Sequence, residues 1–411
     1  STGSDNTAVG NYALIENTSG EKNVAVGSYA LDANTTASYN VGIGYSALGA
    51  NTTGQYNTAV GSALSSNTTG GDGVAIGHSA LASNTTGSYN VAIGVNALTA
   101  ATTADSNTVI GHQAGDAITT GDLNVAIGKD AMGANTVGDR NVAIGPNALQ
   151  AYNPSTNEDS YNVAIGLNAL FAATTGKNNT VVGGKGGEAL TTGANNTFIG
   201  YLAGGVGTVT GSNNTTLGSD AGKNLSSGSN NLLLGHDAGL SGSPGGPIDT
   251  ESNEIVLGDE NITAAHVQVD WTVASDKRDK TDVEPMPMGL DFVNKLEPVT
   301  YKWDKRSNYV EKGEDFNHIV PDGSHKEDWL DVGFLAQDVE KLESEYGYNI
   351  ADKSNLTTTL SDDGNQYGLK YNKFVPMLVK AVQELSAQVE ELKKNSHAPK
   401  GLTDMEGYDI L

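Results

Sequence analysis

The sequence predicts a mainly β chain: a parallel β-roll, or solenoid, of about fifteen 17-residue coils, followed by a small α/β domain ending in a coiled-coil helix. Three observations predict it. A five-residue phrase recurs fifteen times at near-constant spacing, aromatic residues make up only 6% of the 411 residues while glycine reaches 52, and an aliphatic heptad runs near the C-terminus. A short fixed period is the signature of stacked repeats, and a thin repeated core needs few large side chains.

The phrase is Asn-(Thr/Val)-Ala-(Val/Ile)-Gly. Its glycine falls at positions 10, 27, 44, 61, 77, 94, 111, 128, 145, 166, 183, 200, 218, 235 and 258, and most steps are 17 residues. The residue before Gly is aliphatic throughout, as in Val9, Val26, Ile43 and Leu257. The residue two positions earlier is Thr, Val, Leu or Ile. Strand side chains alternate, so these two positions share a face. The expected coil therefore has an aliphatic inner face and a small-residue outer face, formed by Ala8, Ala25, Gly42, Ala59 and their equivalents. Ala-Leu pairs such as Ala30-Leu31 and Ala97-Leu98 predict a second short strand. Polar stretches such as Asn51-Thr52-Thr53-Gly54 close the coil as loops. Fifteen coils at about 4.8 Å stack to roughly 70 Å.

Asparagine opens the phrase in most coils, from Asn6 and Asn23 to Asn107, with Gly73 and Glu254 as exceptions. Stacked identical amides hydrogen-bond from coil to coil, which outweighs a row of ligand-binding amides. The Asn-x-Ser/Thr matches at Asn34, Asn51, Asn67 and Asn84 are read as turn chemistry within the repeat.

Composition divides the chain near residue 270. The first part carries six of the 23 Lys and Arg residues and the second carries the rest. A net charge of −25 excludes a broad phosphate-binding surface, and so a nucleic-acid partner. The absence of cysteine excludes disulfides and thiolate chemistry. No apolar run is long enough for membrane insertion. No secretory signal is visible at Ser1, and the lack of an initiator Met there suggests processing or truncation.

The repeated phrase resembles the head repeat of trimeric adhesins of the YadA type, which also occurs in phage tail fibres. The resemblance covers about residues 1–258 and implies a left-handed parallel β-roll whose three chains pack side by side. The late coils depart from it. Phe198, Thr216, Leu233 and Val256 replace the small residue, and Ala-Gly replaces Ala-Leu at Ala203, Ala221 and Ala238. Changed packing, in the manner of a neck, is expected there.

Beyond a connector at 259–274, an ordered set of motifs follows. Ser275-Asp276-Lys277-Arg278-Asp279-Lys280 comes first, then Gly289-Leu290-Asp291-Phe292 through Trp303, then Val332-Gly333-Phe334-Leu335-Ala336-Gln337-Asp338-Val339, then Tyr367-Gly368-Leu369-Lys370-Tyr371. This set resembles the C-terminal intramolecular chaperone of phage endosialidases and tail fibres, the S74 peptidase family. The resemblance implies a domain at 275–370 that aids trimerisation and then cuts itself off with a serine–lysine dyad. The matching residues are Ser275 and Lys280, with Asp276 and Arg278 as supporting motif positions.

The chemistry requires a base beside the weak serine nucleophile. Lysine serves only as a neutral amine, which burial or nearby cations favour. Lys277 and Arg278 are candidate cations; Asp276 and Asp279 act oppositely. Five residues apart, the dyad does not fit one helical face, so a turn or strand end is expected. Attack on the preceding carbonyl cuts Ala274–Ser275; a cut just after Ser275 is the alternative.

Val375, Leu378, Val382, Leu385, Val389 and Leu392 are spaced 3, 4, 3, 4 and 3 apart, a heptad seam over 371–394. The competing reading is an amphipathic helix packed on its own domain. Residues 395–411 read as a loose tail.

These resemblances imply a homotrimeric phage tail-fibre segment that attaches the virion to a host surface polysaccharide or protein receptor, beside other tail proteins. A bacterial trimeric adhesin and a polysaccharide-degrading tailspike are the alternatives. The first implies a virion protein made in the host cytoplasm. No cofactor is expected, and the seven histidines show no metal-ligand spacing. Binding residues are not assigned. The insertions Ala151–Ser160 and Leu240–Glu254 are candidate recognition loops. Tyr39, Tyr56, Tyr89 and Tyr161 each precede a phrase Asn. Packing over the turn is the favoured reading for them, with an exposed sugar-stacking row as the alternative.

Overall fold

The computed structural model describes residues 2–268, 271–310, 316–361 and 363–396. The chain divides into two compact units, Ser1–Ile262 and Thr263–Leu411.

The first unit is a parallel β-solenoid. Fifteen three-residue strands, from Thr7–Val9 to Ile255–Leu257, form one sheet in which each pairs with the next. The pairing keeps one register, with Ala25 beside Gly42, Gly42 beside Ala59 and Ala59 beside Ala75. The 21-residue step is absorbed without a slip. Glu158–Asp159 pairs with Gly138–Asp139 outside the main sheet, so Val142–Ile144 still meets Val163–Ile165 in register. The phrase glycine permits the stacking. Gly94 has φ +140°, and a side chain there would collide with the Gly111 carbonyl of the next coil.

Two sequence expectations are reversed. The small residue at the strand centre faces the core, and the aliphatics flank it outward. Ala25, Ala59, Ala75 and Ala92 are fully buried, whereas Ile43, Ile76, Val182, Ile199 and Leu217 are 37–49% exposed. Alternation fixes which residues share a face, not which face lies inside. A 17-residue coil encloses room for one alanine layer and one leucine layer, formed by Leu31, Leu48, Leu64 and Leu98. The second correction is that Ala-Leu is a turn, not a strand. Its leucines have positive φ, 51° at Leu31 and 53° at Leu98, outside the extended region.

The late coils keep the sheet and repack the core, which is the changed packing expected there. Phe198, Thr216, Leu233 and Val256 are buried. Glycines at the former leucine position, Gly204, Gly222 and Gly239, make room for the first three.

Two asparagine ladders hold the coils together. In the phrase ladder, Asn40 N donates to Asn23 Oδ1 at 3.0 Å and Asn40 Nδ2 to Gly54 O at 2.9 Å. In the loop ladder, Asn51 Nδ2 donates to Asn34 Oδ1 at 3.2 Å and to Gly54 O at 3.0 Å. Asn34, Asn51, Asn67 and Asn84 are buried, in keeping with a turn role.

The second unit is a small α/β region. Its core is Met288, Phe292, Val339, Leu342, Phe374 and Met377. Helix α1 (Leu290–Lys295), α2 (Ala336–Glu345) and the 23-residue α3 (Phe374–Ser396) surround it. Val299–Tyr301 pairs antiparallel with Asp331–Gly333, and Thr358–Leu360 with Tyr367–Leu369. The separated motifs meet here. Tyr371 Oη accepts from Phe334 N at 3.2 Å, and the rings of Phe334 and Phe374 stack at 5.4 Å. The buried Glu343 carboxylate accepts from the hydroxyls of Thr357 and Thr358 at 2.7 and 2.6 Å, fixing α2 to the strand.

Helix α3 packs on its own domain by one face, as the competing reading expects, and leaves the heptad face open. Phe374, Met377 and Ala381 are buried in its own domain. The heptad residues Val375, Leu378, Val382, Leu385, Val389 and Leu392 remain 40–68% exposed within one chain. Residues 397–411, most of the expected tail, lie outside the described residues.

Candidate active site

Ser275 and Lys280 flank a single turn of 3-10 helix, Lys277–Asp279. Asp276 caps that turn: its Oδ1 accepts from Arg278 N at 2.9 Å. The turn closes with Lys280 N donating to Lys277 O at 3.3 Å. Reversal over five residues brings the two ends together, and Lys280 Nζ donates to Ser275 Oγ at 2.6 Å. This is the local geometry that the spacing required of a turn.

Asp276 and Arg278 form a second pair on the same turn. Arg278 Nη2 reaches Asp276 Oδ2 at 2.6 Å and Nε reaches Oδ1 at 3.1 Å, a two-pronged contact. The Arg278 side chain, and then its backbone N–H, hold the Asp276 carboxyl below the usual carboxylate range. Asp276 in turn raises the guanidinium. Arg278 is therefore charge-compensated by Asp276 rather than directed at Lys280. Sequence reading placed Arg278 among the cations acting on the lysine; the pairing at i and i+2 across a capped turn is what it missed.

Ser275, Lys280, Ala274 and the residues between them are exposed within one chain. The arrangement can pass a proton between the hydroxyl and the amine.

Elsewhere, the solenoid gathers residues that no sequence spacing announced. Asp220, His236 and Asp237 bring ligand-type atoms within 4.8 Å of one another. They lie 16 and 17 residues apart and meet because successive coils stack. Side chains of the chain already engage them: Lys223 Nζ lies 2.8 Å from Asp220 Oδ1, and His236 Nδ1 lies 2.7 Å from Asp237 Oδ2. The two insertions pack on the solenoid through Tyr152 in one, and Leu240 and Ile248 in the other, all buried. Among the described residues no helix is long and apolar enough to cross a membrane.

Residues 275–348 match the family described as Peptidase S74, chaperone of endosialidase. The match begins at the serine of the Ser275–Lys280 pair and spans α1, both strands of the first antiparallel pair and α2. The chain thus carries a chaperone domain of this type C-terminal to a β-solenoid. Neither a curated protein nor a solved structure matches the chain.

Proposed function

We propose that the chain is a segment of a trimeric phage tail fibre that attaches the virion to a host surface. Its C-terminal domain assembles the trimer and then severs itself at Ala274–Ser275. The observation that carries this reading is the S74 match starting at a serine whose hydroxyl meets a lysine amine at 2.6 Å.

Ser275 Oγ attacks the Ala274 carbonyl carbon while the neutral Lys280 amine takes the hydroxyl proton. The Ala274–Ser275 C–N bond breaks, and Lys280 returns the proton to the leaving Ser275 amine. Water then hydrolyses the ester on Oγ, leaving an Ala274 carboxylate and a free Ser275 N-terminus. A cut after Ser275 is the alternative, and product masses separate the two.

Two faces support three chains. The outward aliphatic ladder of the solenoid and the exposed heptad of α3 are apolar surfaces that a single chain leaves in water. A solenoid of near-identical coils has weak register, because a slip of one coil keeps most contacts. A C-terminal trimer-former fixes register first, and its removal afterwards makes the fibre kinetically stable.

Intact-mass analysis tests the reading. The wild-type chain is expected to yield a fragment ending at Ala274. Ser275→Ala and Lys280→Ala are expected to form full-length trimers. Normal processing of either variant removes the dyad from the mechanism, and a soluble trimer of residues 1–274 made without the C-terminal domain removes the chaperone role.

A further inference from the structure

We infer that Tyr56, Asp72 and Tyr89 form a slot on the solenoid that takes one ring of an uncharged glycan. The inference rests on the host-attachment reading and assigns it a contact site.

The three residues occupy one row. The residue before the phrase Asn has positive φ in every coil, with 60° at Tyr56, 56° at Asp72 and 60° at Tyr89. Each backbone N–H bonds to the preceding coil: Tyr56 N to Ser38 O, Asp72 N to Gln55 O and Tyr89 N to Gly71 O. The strands that follow are in register, Thr58 beside Val74 and Val74 beside Val91. Equivalent side chains therefore repeat at the coil spacing.

A bulky side chain at positive φ is disfavoured, and asparagine tolerates it best. The late coils follow that rule with Asn178, Asn195, Asn213, Asn230 and Asn253 in this row. The early coils depart from it with Lys22, Leu123 and Arg140 and with tyrosines, of which Tyr39, Tyr56 and Tyr89 are 42%, 54% and 64% exposed. An unfavourable conformation spent on an exposed ring points to a use outside the coil.

The row also defines the size of the slot. Tyr39 and Tyr56 stack face to face at 4.9 Å with 12° between planes. On the neighbouring rung Lys22 Nζ donates to Tyr39 Oη at 3.0 Å and lies 4.9 Å from the Tyr39 ring centroid. The next rung carries Asp72 between Gly71 and Gly73, and no ring. The rung after that is Tyr89, about 9.6 Å from Tyr56 at two strand spacings. A six-membered sugar ring on the Asp72 rung would lie about one strand spacing from Tyr56 on one side and from Tyr89 on the other, close to the 4.9 Å at which Tyr39 and Tyr56 stack. Its C–H faces suit the negative aromatic faces, and its rim hydroxyls donate to the Asp72 carboxylate. The carboxylate and the net charge of −25 repel uronic and sialic acids, so the ligand is uncharged. Tyr161, in the same row, lies instead beside Arg140, 5.9 Å away, and donates to Asp159.

The test uses the full chain with maltohexaose, an N-acetylglucosamine hexamer and hexagalacturonate, read by saturation-transfer NMR and calorimetry. At least one neutral probe is expected to bind and hexagalacturonate is not. Tyr56→Asn and Tyr89→Asn are each expected to weaken binding about tenfold, with Tm equal or higher and the oligomer unchanged, while Tyr161→Asn binds normally. Binding of hexagalacturonate alone, binding indifferent to both variants, no binding of either neutral probe, or a fall in Tm or loss of oligomer in the variants overturns the slot. Labelled protein on a panel of intact bacteria separates the two readings. Adhesion that survives in the double variant leaves attachment standing without the slot, and adhesion to no strain removes attachment itself.

Discussion

The ring of Phe198 occupies the space where a side chain on Gly204 would stand. The same exchange of volume recurs between Thr216 and Gly222 and between Leu233 and Gly239. Coils with alanine at the strand centre have leucine at the facing turn, as with Ala92 and Leu98, or methionine, as with Ala126 and Met132. One cross-section is thus filled in two ways. The glycine solution also removes a bulky residue from a positive φ, which is 82° at Gly204.

This exchange predicts strong coupling. Gly204→Leu alone should overpack the coil and cost about 1–3 kcal/mol. Phe198→Ala alone should open a cavity and cost about 3–5 kcal/mol. The double variant restores the early-coil arrangement and should be markedly more stable than the sum of the two. Denaturant unfolding measures it; strict additivity would show that the two positions do not share volume.

The asparagine ladder predicts a buried-donor effect. Asn107 Oδ1 accepts from Asn124 N at 2.9 Å, and Asn107 Nδ2 donates to Gly121 O at 2.9 Å. Asn107→Ala leaves both groups buried and unpaired, for a loss of about 1–3 kcal/mol per group. Asn213→Ala, in the positive-φ row, removes no such ladder contact and should cost less. Equal losses in urea unfolding would contradict the ladder account.

The two faces of α3 should respond differently. Met377→Ala cuts into the domain core and should lower its stability by about 2–5 kcal/mol. Leu385→Asp changes only the exposed seam. It should leave the folded domain intact by circular dichroism while abolishing the trimer in sedimentation. Unchanged trimers in Leu385→Asp would assign the seam to something other than self-association.

Acid should affect Asp116 in a defined direction. Burial, with the Asp130 carboxylate as a lesser contributor, raises its pKa above 3.8. A raised carboxyl pKa means that the folded state binds the proton more tightly. Its contribution is therefore most favourable below the unfolded value and is lost as pH rises through the folded pKa. Asp116→Asn is expected to raise Tm at neutral pH and to give no gain once the medium is acid enough to protonate the wild-type carboxyl. A gain that persisted in acid would show that charge is not the cause.

The capped turn should govern the cut. Asp276→Ala removes the acceptor for Arg278 N and the side-chain fork, loosening the turn that joins Ser275 to Lys280. Autocleavage is expected to slow by about a hundredfold with trimerisation retained, read as the fraction of intact chain over time. An unchanged rate would mean that the turn is held by other contacts.

Much of this was legible because repetition amplifies weak signals. One Asn-Val-Ala-Ile-Gly says little, but fifteen copies of the phrase at a near-constant spacing leave a single stacked arrangement, and the ladders of Asn40 and Asn51 follow from stacking. The pairing of Ser275 with Lys280 came from the family resemblance, and the five-residue spacing added only that a turn must join them. The neighbouring pair of Asp276 and Arg278 was not legible, because a two-residue spacing allows Asp276 either to oppose Lys280 or to absorb Arg278, and only the turn decides.

The period, the parallel register and the α3 heptad belong to the sequence alone, since each is a pattern along one dimension. The inside of the coil belongs to the tertiary structure. Alternation is symmetric between faces, and the width of a closed coil, which admits Ala25 and Leu31 but no second aliphatic row, breaks that symmetry. The meeting of Tyr56 with Tyr39, or of Asp220 with His236, is likewise a property of stacking, which turns 16 or 17 residues of chain into one rung of distance.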